Sequence, residues 1–179
     1  MSPTNSDVFV VRGGTSLRGS LRIHGAKNSA LKLMAASLIA DGPSVVTNVP
    51  QIADVPVMAD VLRGLGARVE VADETVTIHT DGDIAWHAPR DAVTRIRASI
   101  STLGALVARV GRCRVALPGG DRIGSRGIDL HLAGLAAMGA TIVEDGDEVE
   151  VRGRLHGADI TLDFPSVGAT ENLLMAATL

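Results

Sequence analysis

The sequence predicts a mixed α/β (α+β) fold assembled from repeated helix–strand–helix–hairpin units. Three observations lead there. Apolar runs of helical length alternate with short β-branched runs of strand length, so neither an all-helical nor an all-strand architecture fits. The helical run LMAASL (Leu33–Leu38) returns as LMAATL (Leu174–Leu179), 141 positions later, and ASISTLGALV (Ala98–Val107) lies near the midpoint. LRGLGARVEV (Leu62–Val71) matches LAAMGATIVE (Leu135–Glu144), with Gly66 and Gly139 offset by 73 positions. A period near 70 residues therefore organises the chain.

The first unit opens with a helix over Asn28–Ile39, which ends at the DGPS turn. A strand follows over Ser44–Val49, then a second helix over Val55–Leu65 closed by Gly66. Two strands, Arg68–Val71 and Thr75–His79, joined at ADE, complete it as a hairpin. The second unit repeats the order over Arg97–Val110, Arg114–Leu117, Ile128–Met138, Thr141–Glu144 and Glu148–Arg152. A third begins at LHGADITLDFPSVGATENLLMAATL and reaches only its first helix. A repeat unit cannot bury its apolar faces alone, so the sequence is expected to be the front part of a longer chain or a reduced relative completed by a partner.

Composition narrows the function. Of 179 residues, 46% are hydrophobic, enough for a real core. One Trp, two Phe and no Tyr leave that core to aliphatic side chains and supply no base-stacking platform. Seventeen basic against twenty acidic residues give a net charge of -3 without long runs of either sign, which argues against nucleic-acid and membrane-surface partners. The single cysteine, Cys113, lies in an alternating strand pattern and reads as a packed, inert thiol; no intrachain disulfide is possible, as suits a reducing cytoplasm. MSPTNSDV has no signal-peptide character, and no apolar run approaches the ~18 residues of a membrane span. His24, His79, His87, His131 and His156 show no metal-ligand spacing and read as polar surface or loop residues. No metal or organic cofactor is implied.

The repeat also aligns helix starts. Lys27 opens the first helix, Arg97 stands 70 positions on, and Val167 a further 70. Helix N-termini carry unpaired N–H groups and about half a positive charge, a ready seat for phosphate or carboxylate. Arranged about one axis, the three starts would face one space. Taken singly, Lys27 also suits a solvated surface position, and Asn28 suits an N-cap. The second unit has a few residues more than the first, which has VPQIADVP at the corresponding place; they fall in the glycine-rich loop LPGGDRIGSRGIDLH (Leu117–His131). Its glycines admit close backbone approach to an anion, and Arg126 offers a planar fork for carboxylate or phosphate. Asp121 beside these cations reads either as a loop ion pair with Arg122 or Arg126, or as a carboxyl held protonated and able to donate.

Four separated motifs, GAKNSALKLMAASL, RIRASI, LPGGDRIGSR and PSVGATEN, in this order and spacing, resemble the UDP-N-acetylglucosamine enolpyruvyl transferases from about Val8 to Leu179. The resemblance implies an inverted α/β prism, each of two domains holding three such units, with two complete units and the start of a third here. Residues 1–20 would then hold an N-terminal strand, near Val8–Arg12, belonging to the second domain. Repeat units would span 21–88 and 89–154, and a truncated third 155–179.

The activity implied is transfer of the enolpyruvyl group from phosphoenolpyruvate to the 3-hydroxyl of UDP-N-acetylglucosamine, the first committed step of peptidoglycan synthesis. Lys27, Asn28 and Arg126 match the family's phosphoenolpyruvate-binding positions. Arg97, Arg126, Gly127, Ile128, Asp129, Leu130, Ser166, Val167 and Gly168 match its UDP-N-acetylglucosamine-binding positions. Asp121 stands where most of the family carries a catalytic cysteine that protonates the substrate methylene carbon. A minority has aspartate, so the reaction class stands while covalent trapping by fosfomycin is not expected. Gly127 replaces a usual proline, and Phe164 a lysine found in many relatives. Alone, the chain would form one wall of a cleft and be inactive or nearly so; its expected partner is the missing C-terminal half or a full-length homologue. The other readings are a 3-phosphoshikimate 1-carboxyvinyltransferase-like enzyme and a non-catalytic UDP-sugar-binding or regulatory paralogue.

Overall fold

The computed structural model describes residues 8, 10–117 and 127–179. Two antiparallel three-stranded sheets share one topology. In the first, α1 (Lys27–Ala36) leads to β1 (Pro43–Val46), α2 (Asp54–Gly64) and the hairpin β2 (Arg68–Ala72) and β3 (Thr75–His79), in the order β1-β3-β2. The second half begins with the short α3 (Arg90–Val93) and a 3-10 turn (Arg97–Ser101) that continues into α4 (Thr102–Val110). It then runs through β4 (Arg112–Ala116), α5 (Asp129–Ala137), β5 (Thr141–Asp145) and β6 (Glu148–Arg152), in the order β4-β6-β5. α6 (Val167–Ala176) opens a third repeat. The predicted repeat is therefore present in three dimensions: Pro43 and Arg68 flank His79, as Arg112 and Thr141 flank Arg152 73 positions later.

The same residue types build both halves. Val76 and Ile78 on β3, and Val149 and Val151 on β6, point into the core at matched positions, the alternation a half-buried strand requires. The hairpins turn at Asp73 and Gly146, with φ of 49° and 63°. Asp and Gly are residue types that tolerate this left-handed region. α2 and α5 stop alike. Gly66 (φ 101°) and Gly139 (φ 93°) take the left-handed conformation, and Ala67 N–H→Leu62 O (3.0 Å) and Ala140 N–H→Leu135 O (3.0 Å) close Schellman-type caps. Leu31, Met34 and Leu38 of the first repeat, Met58 and Leu62 of α2, Leu103 and Leu106 of α4 and Leu135 of α5 are all fully buried. Cys113 is buried among them, and burial pushes its thiol far up, so the inert reading holds.

Some boundaries differ from expectation. The first helix stops at Ala36, and β1 stops at Val46 instead of Val49. β4 begins two residues early, at Arg112. Arg97 opens a 3-10 turn; α-helix begins only at Thr102. α3 is four residues long, too short for periodicity to reveal. No strand forms at the described residues of Val8–Arg12, and 10–26 carry neither helix nor strand. A strand needs a neighbouring ladder, and neither sheet extends to this segment.

Candidate functional site

The second-unit and third-unit helix starts meet. Arg97 Nη2 donates to Gly127 O across 3.3 Å, which places the 3-10 turn beside the approach to α5. Gly127 is exposed, Ile128 is buried at the N-cap of α5, and Asp129 opens the helix on its exposed side, followed by half-buried Leu130. One position on, His131 turns inward and is only 6% exposed. A side chain built at Gly168 would stand 3.6 Å from His131 Nε2, so the first turn of α6 lies against the first turn of α5. Ser166 caps α6: its hydroxyl accepts from Ala169 N–H at 3.2 Å. A shallow depression of about 330 Å³ opens there, lined by Leu162, Pro165, Ser166, Val167, Thr170 and Glu171.

The first helix start stands at the side of this group. α1 sends Lys32 to an ion pair with Glu171 of α6. Lys27 pairs instead with Asp54, the first residue of α2, with Nζ–Oδ1 of 3.0 Å. Asp54 shares a second depression with Arg95 and Ile96, the residues that lead into Arg97. Asn28 is not the helix cap: Ala26 occupies the N-cap without a side-chain bond, and Asn28 is exposed within the first turn. Asp121 and Arg126 lie outside the described residues.

His131 is not the surface or loop residue its type suggested. Its Nδ1 lies 2.7 Å from Asn172 Nδ2. Burial, then Arg97 and, more weakly, Lys32, push its pKa down to about 4 against the opposing pull of Asp129, so the ring is neutral at ordinary pH. Asn172, 1% exposed, and Lys32 and Glu171 were not legible as site residues. The only sequence signal was polarity at helix positions otherwise filled by apolar neighbours, in DLHLAGL and TENLLMAA. Among the described residues, no group of three or more His, Cys, Asp or Glu side chains is placed to hold a metal, and no helix is long and apolar enough to cross a membrane.

Paired three-stranded antiparallel sheets, each with two helices from the same repeat, and helix starts converging on one edge define an α/β protein of the enolpyruvyl transferase fold. The model of the EPSP synthase (3-phosphoshikimate 1-carboxyvinyltransferase) family matches residues 11–179, and the chain belongs to that family. It is 55% identical over 174 residues to a UDP-N-acetylglucosamine 1-carboxyvinyltransferase of Corynebacterium efficiens, spanning 97% of this chain and 41% of that relative. It is 54% identical over 172 residues to the enzyme of that name from Mycobacterium tuberculosis, with 96% and 41% covered. Among solved structures it superimposes on the enolpyruvyl transferase NikO from Streptomyces tendae with a TM-score of 0.76 and 27% identity, covering 92% of this chain and 39% of that one. An EPSP synthase from Acinetobacter baumannii shares the fold at a TM-score of 0.63 and 20% identity, over 88% of this chain and 37% of that one. The chain thus spans about two fifths of the length of the curated relatives it matches.

Proposed function

We propose that the chain supplies one wall of an enolpyruvyl transferase active site that binds UDP-N-acetylglucosamine and phosphoenolpyruvate. The observation that carries this reading is the meeting of Arg97 with the starts of α5 and α6. One cationic fork and two helix N-termini address the same edge, which suits the diphosphate and uracil of a nucleotide sugar. Arg97, Gly127, Ile128, Asp129, Leu130, Ser166, Val167 and Gly168 form that side of the site. Lys27, Asn28 and Arg126 take phosphoenolpyruvate. The 54–55% identity to relatives named for UDP-N-acetylglucosamine favours this substrate over shikimate 3-phosphate.

In the reaction, Asp121 is the acid. Its protonated carboxyl gives a proton to the methylene carbon of phosphoenolpyruvate while the sugar 3-hydroxyl adds to the adjoining carbon and loses its own proton. Departure of phosphate, with removal of a proton from the methyl group so formed, leaves the enolpyruvyl ether. This role belongs to peptidoglycan synthesis in the cytoplasm. The unit boundaries 21–88, 89–154 and 155–179 are part of the proposal, as is the assignment of residues 1–20 to a second domain.

A thermal-shift comparison tests the substrate. UDP-N-acetylglucosamine should raise the Tm of the chain, because a ligand held by the folded state alone stabilises it by mass action. Shikimate 3-phosphate should not. The reverse order of protection would replace this reading with the shikimate one. The acid has its own test. A carboxylate is a far weaker nucleophile than a thiolate, so fosfomycin should leave the chain unmodified by mass spectrometry, and Asp121→Cys should gain one adduct at residue 121. An adduct on Asp121 itself would refute the assignment.

A further inference from the structure

One carboxamide joins three segments of the nucleotide-sugar side of that site: the 3-10 turn with α4, the start of α5, and α6. Asn172 Oδ1 accepts from Gly104 N–H at 2.6 Å. A backbone N–H can only donate, so the atom facing it is oxygen and the opposite end of the amide is the NH2 group. That group donates to Ile100 O at 3.3 Å and to His131 Nδ1 at 2.7 Å. Gly104 N–H and Ile100 O stand four residues apart, the pair an unbroken α-helix would join directly. The Asn172 side chain is thus spliced into the backbone ladder at the place where the 3-10 turn that starts at Arg97 becomes α4. Ser101, the N-cap of α4, makes no side-chain cap bond; the cap comes from α6. The approach is close enough to demand a glycine: a Cβ at Gly104 would stand 2.1 Å from Asn172 O and 2.3 Å from Oδ1.

We propose that Asn172 is a positioning residue for the nucleotide-sugar side of the site, holding the Arg97 turn, the start of α5 through neutral His131, and α6 itself in one fixed arrangement. The inference rests on the reading of the site given above for its ligand, though not for its geometry. The hydrogen-bond pattern dictates the protonation state. Nδ1 accepts, so the one ring proton sits on Nε2 beside the first turn of α6. The groups facing the ring are Arg97 from the 3-10 turn, Asp129 from its own helix and Lys32 from α1, which is itself paired with Glu171 of α6. Two cations and burial oppose a charge on the ring, and one carboxylate favours it.

The test uses the full chain and NMR. In the wild type, His131 should show the Nε2–H tautomer and remain neutral down to pH 5; an ordinary titration midpoint near 6.5 would overturn the proposal. Asn172→Asp keeps the acceptor for Gly104 but loses both donors and places a carboxylate against Nδ1. The His131 midpoint should rise by a unit or more, and amide resonances should move at 97–104, 127–131 and 166–168 but not in the hairpin 68–79. Changes confined to α6 would contradict the claim. His131 variants provide a readout that survives if that variant does not fold. His131→Gln retains an acceptor for Asn172 and should hold UDP-N-acetylglucosamine within about threefold of wild type, whereas His131→Leu should weaken it tenfold or more. Equal affinities of the two variants would also overturn it. If the wild-type chain does not bind UDP-N-acetylglucosamine, the substrate reading fails, while the imidazole and amide responses still decide the positioning claim.

Discussion

His131 shows how one buried residue ties stability to pH. Its folded pKa of about 4 lies below the 6.5 expected of an unfolded histidine. The unfolded chain therefore binds the extra proton first, and stability contributed by the neutral ring is complete above pH 6.5 and lost as pH falls towards 4. The loss should be ~1–3 kcal/mol, read from urea midpoints across that window and absent in His131→Gln. Equal pH slopes for the two proteins would contradict it. Gly104 makes the steric counterpart: Gly104→Ala forces a methyl against the Asn172 backbone and carboxamide and should cost ~2 kcal/mol or more by chemical denaturation. A cost under ~0.5 kcal/mol would mean that α4 and α6 can separate without penalty. At this scale the sequence was read unevenly. Cys113 was legible because strand alternation forces it inward. His131 and Asn172 were not, because a polar residue in a helix has no periodic signature that tells a satisfied core position from a solvated one. Asn28 was misread as a cap because the helix begins one residue earlier, behind Ala26.

Elements are held together by charges whose partners lie far apart in sequence. Arg109 of α4 donates to Leu38 O (2.8 Å), Ala40 O (2.5 Å) and Thr80 O (2.6 Å), which fastens the second repeat to the end of the first. Arg109→Leu removes the donors from three carbonyls and should cost ~1–3 kcal/mol in denaturant unfolding. A neutral result would show that water replaces the guanidinium. The second sheet has a different device. Arg114 binds Glu148 and Asp145, Arg112 binds Glu150, and Arg112 also lies 3.7 Å over the Trp86 ring. Hydrogen bonds from Arg114 and Arg112 hold the Glu148 and Glu150 carboxyls below their usual range. Their stabilisation is present above about pH 4.5 and lost as pH falls through the lowered values, so Glu148→Gln should flatten the acid side of the Tm–pH curve. An unchanged curve would show that the lattice contributes nothing. Helices and hairpins were legible at this scale through periodicity and glycine stops. The 3-10 turn at Arg97 was not, because the Asn172 carboxamide, 68 and 72 residues downstream of the two groups it binds, breaks the ladder there.

For the whole molecule, the 73-residue offset between matched hairpins is carried by equivalent core valines, Val76 with Val149, and by the left-handed pair Asp73 and Gly146. Repetition was therefore the most readable property of the chain, since each copy must solve the same packing problem with the same residues. How the copies face each other was less readable. Matched positions Lys27 and Arg97 reach residues that are themselves 73 positions apart, Asp54 and Gly127, but by different chemistry: an ion pair in the first copy and a hydrogen bond to a backbone carbonyl in the second, a difference that spacing does not give. The central claim is that Arg97 and the starts of α5 and α6 form one nucleotide-sugar surface. Its most direct measurement is a titration of the isotope-labelled chain with UDP-N-acetylglucosamine, followed by backbone amide shifts. The account predicts saturable changes at Arg97, Gly127–Leu130 and Ser166–Gly168, with the β2–β3 hairpin silent. Changes centred elsewhere, or none at saturating ligand, would contradict it.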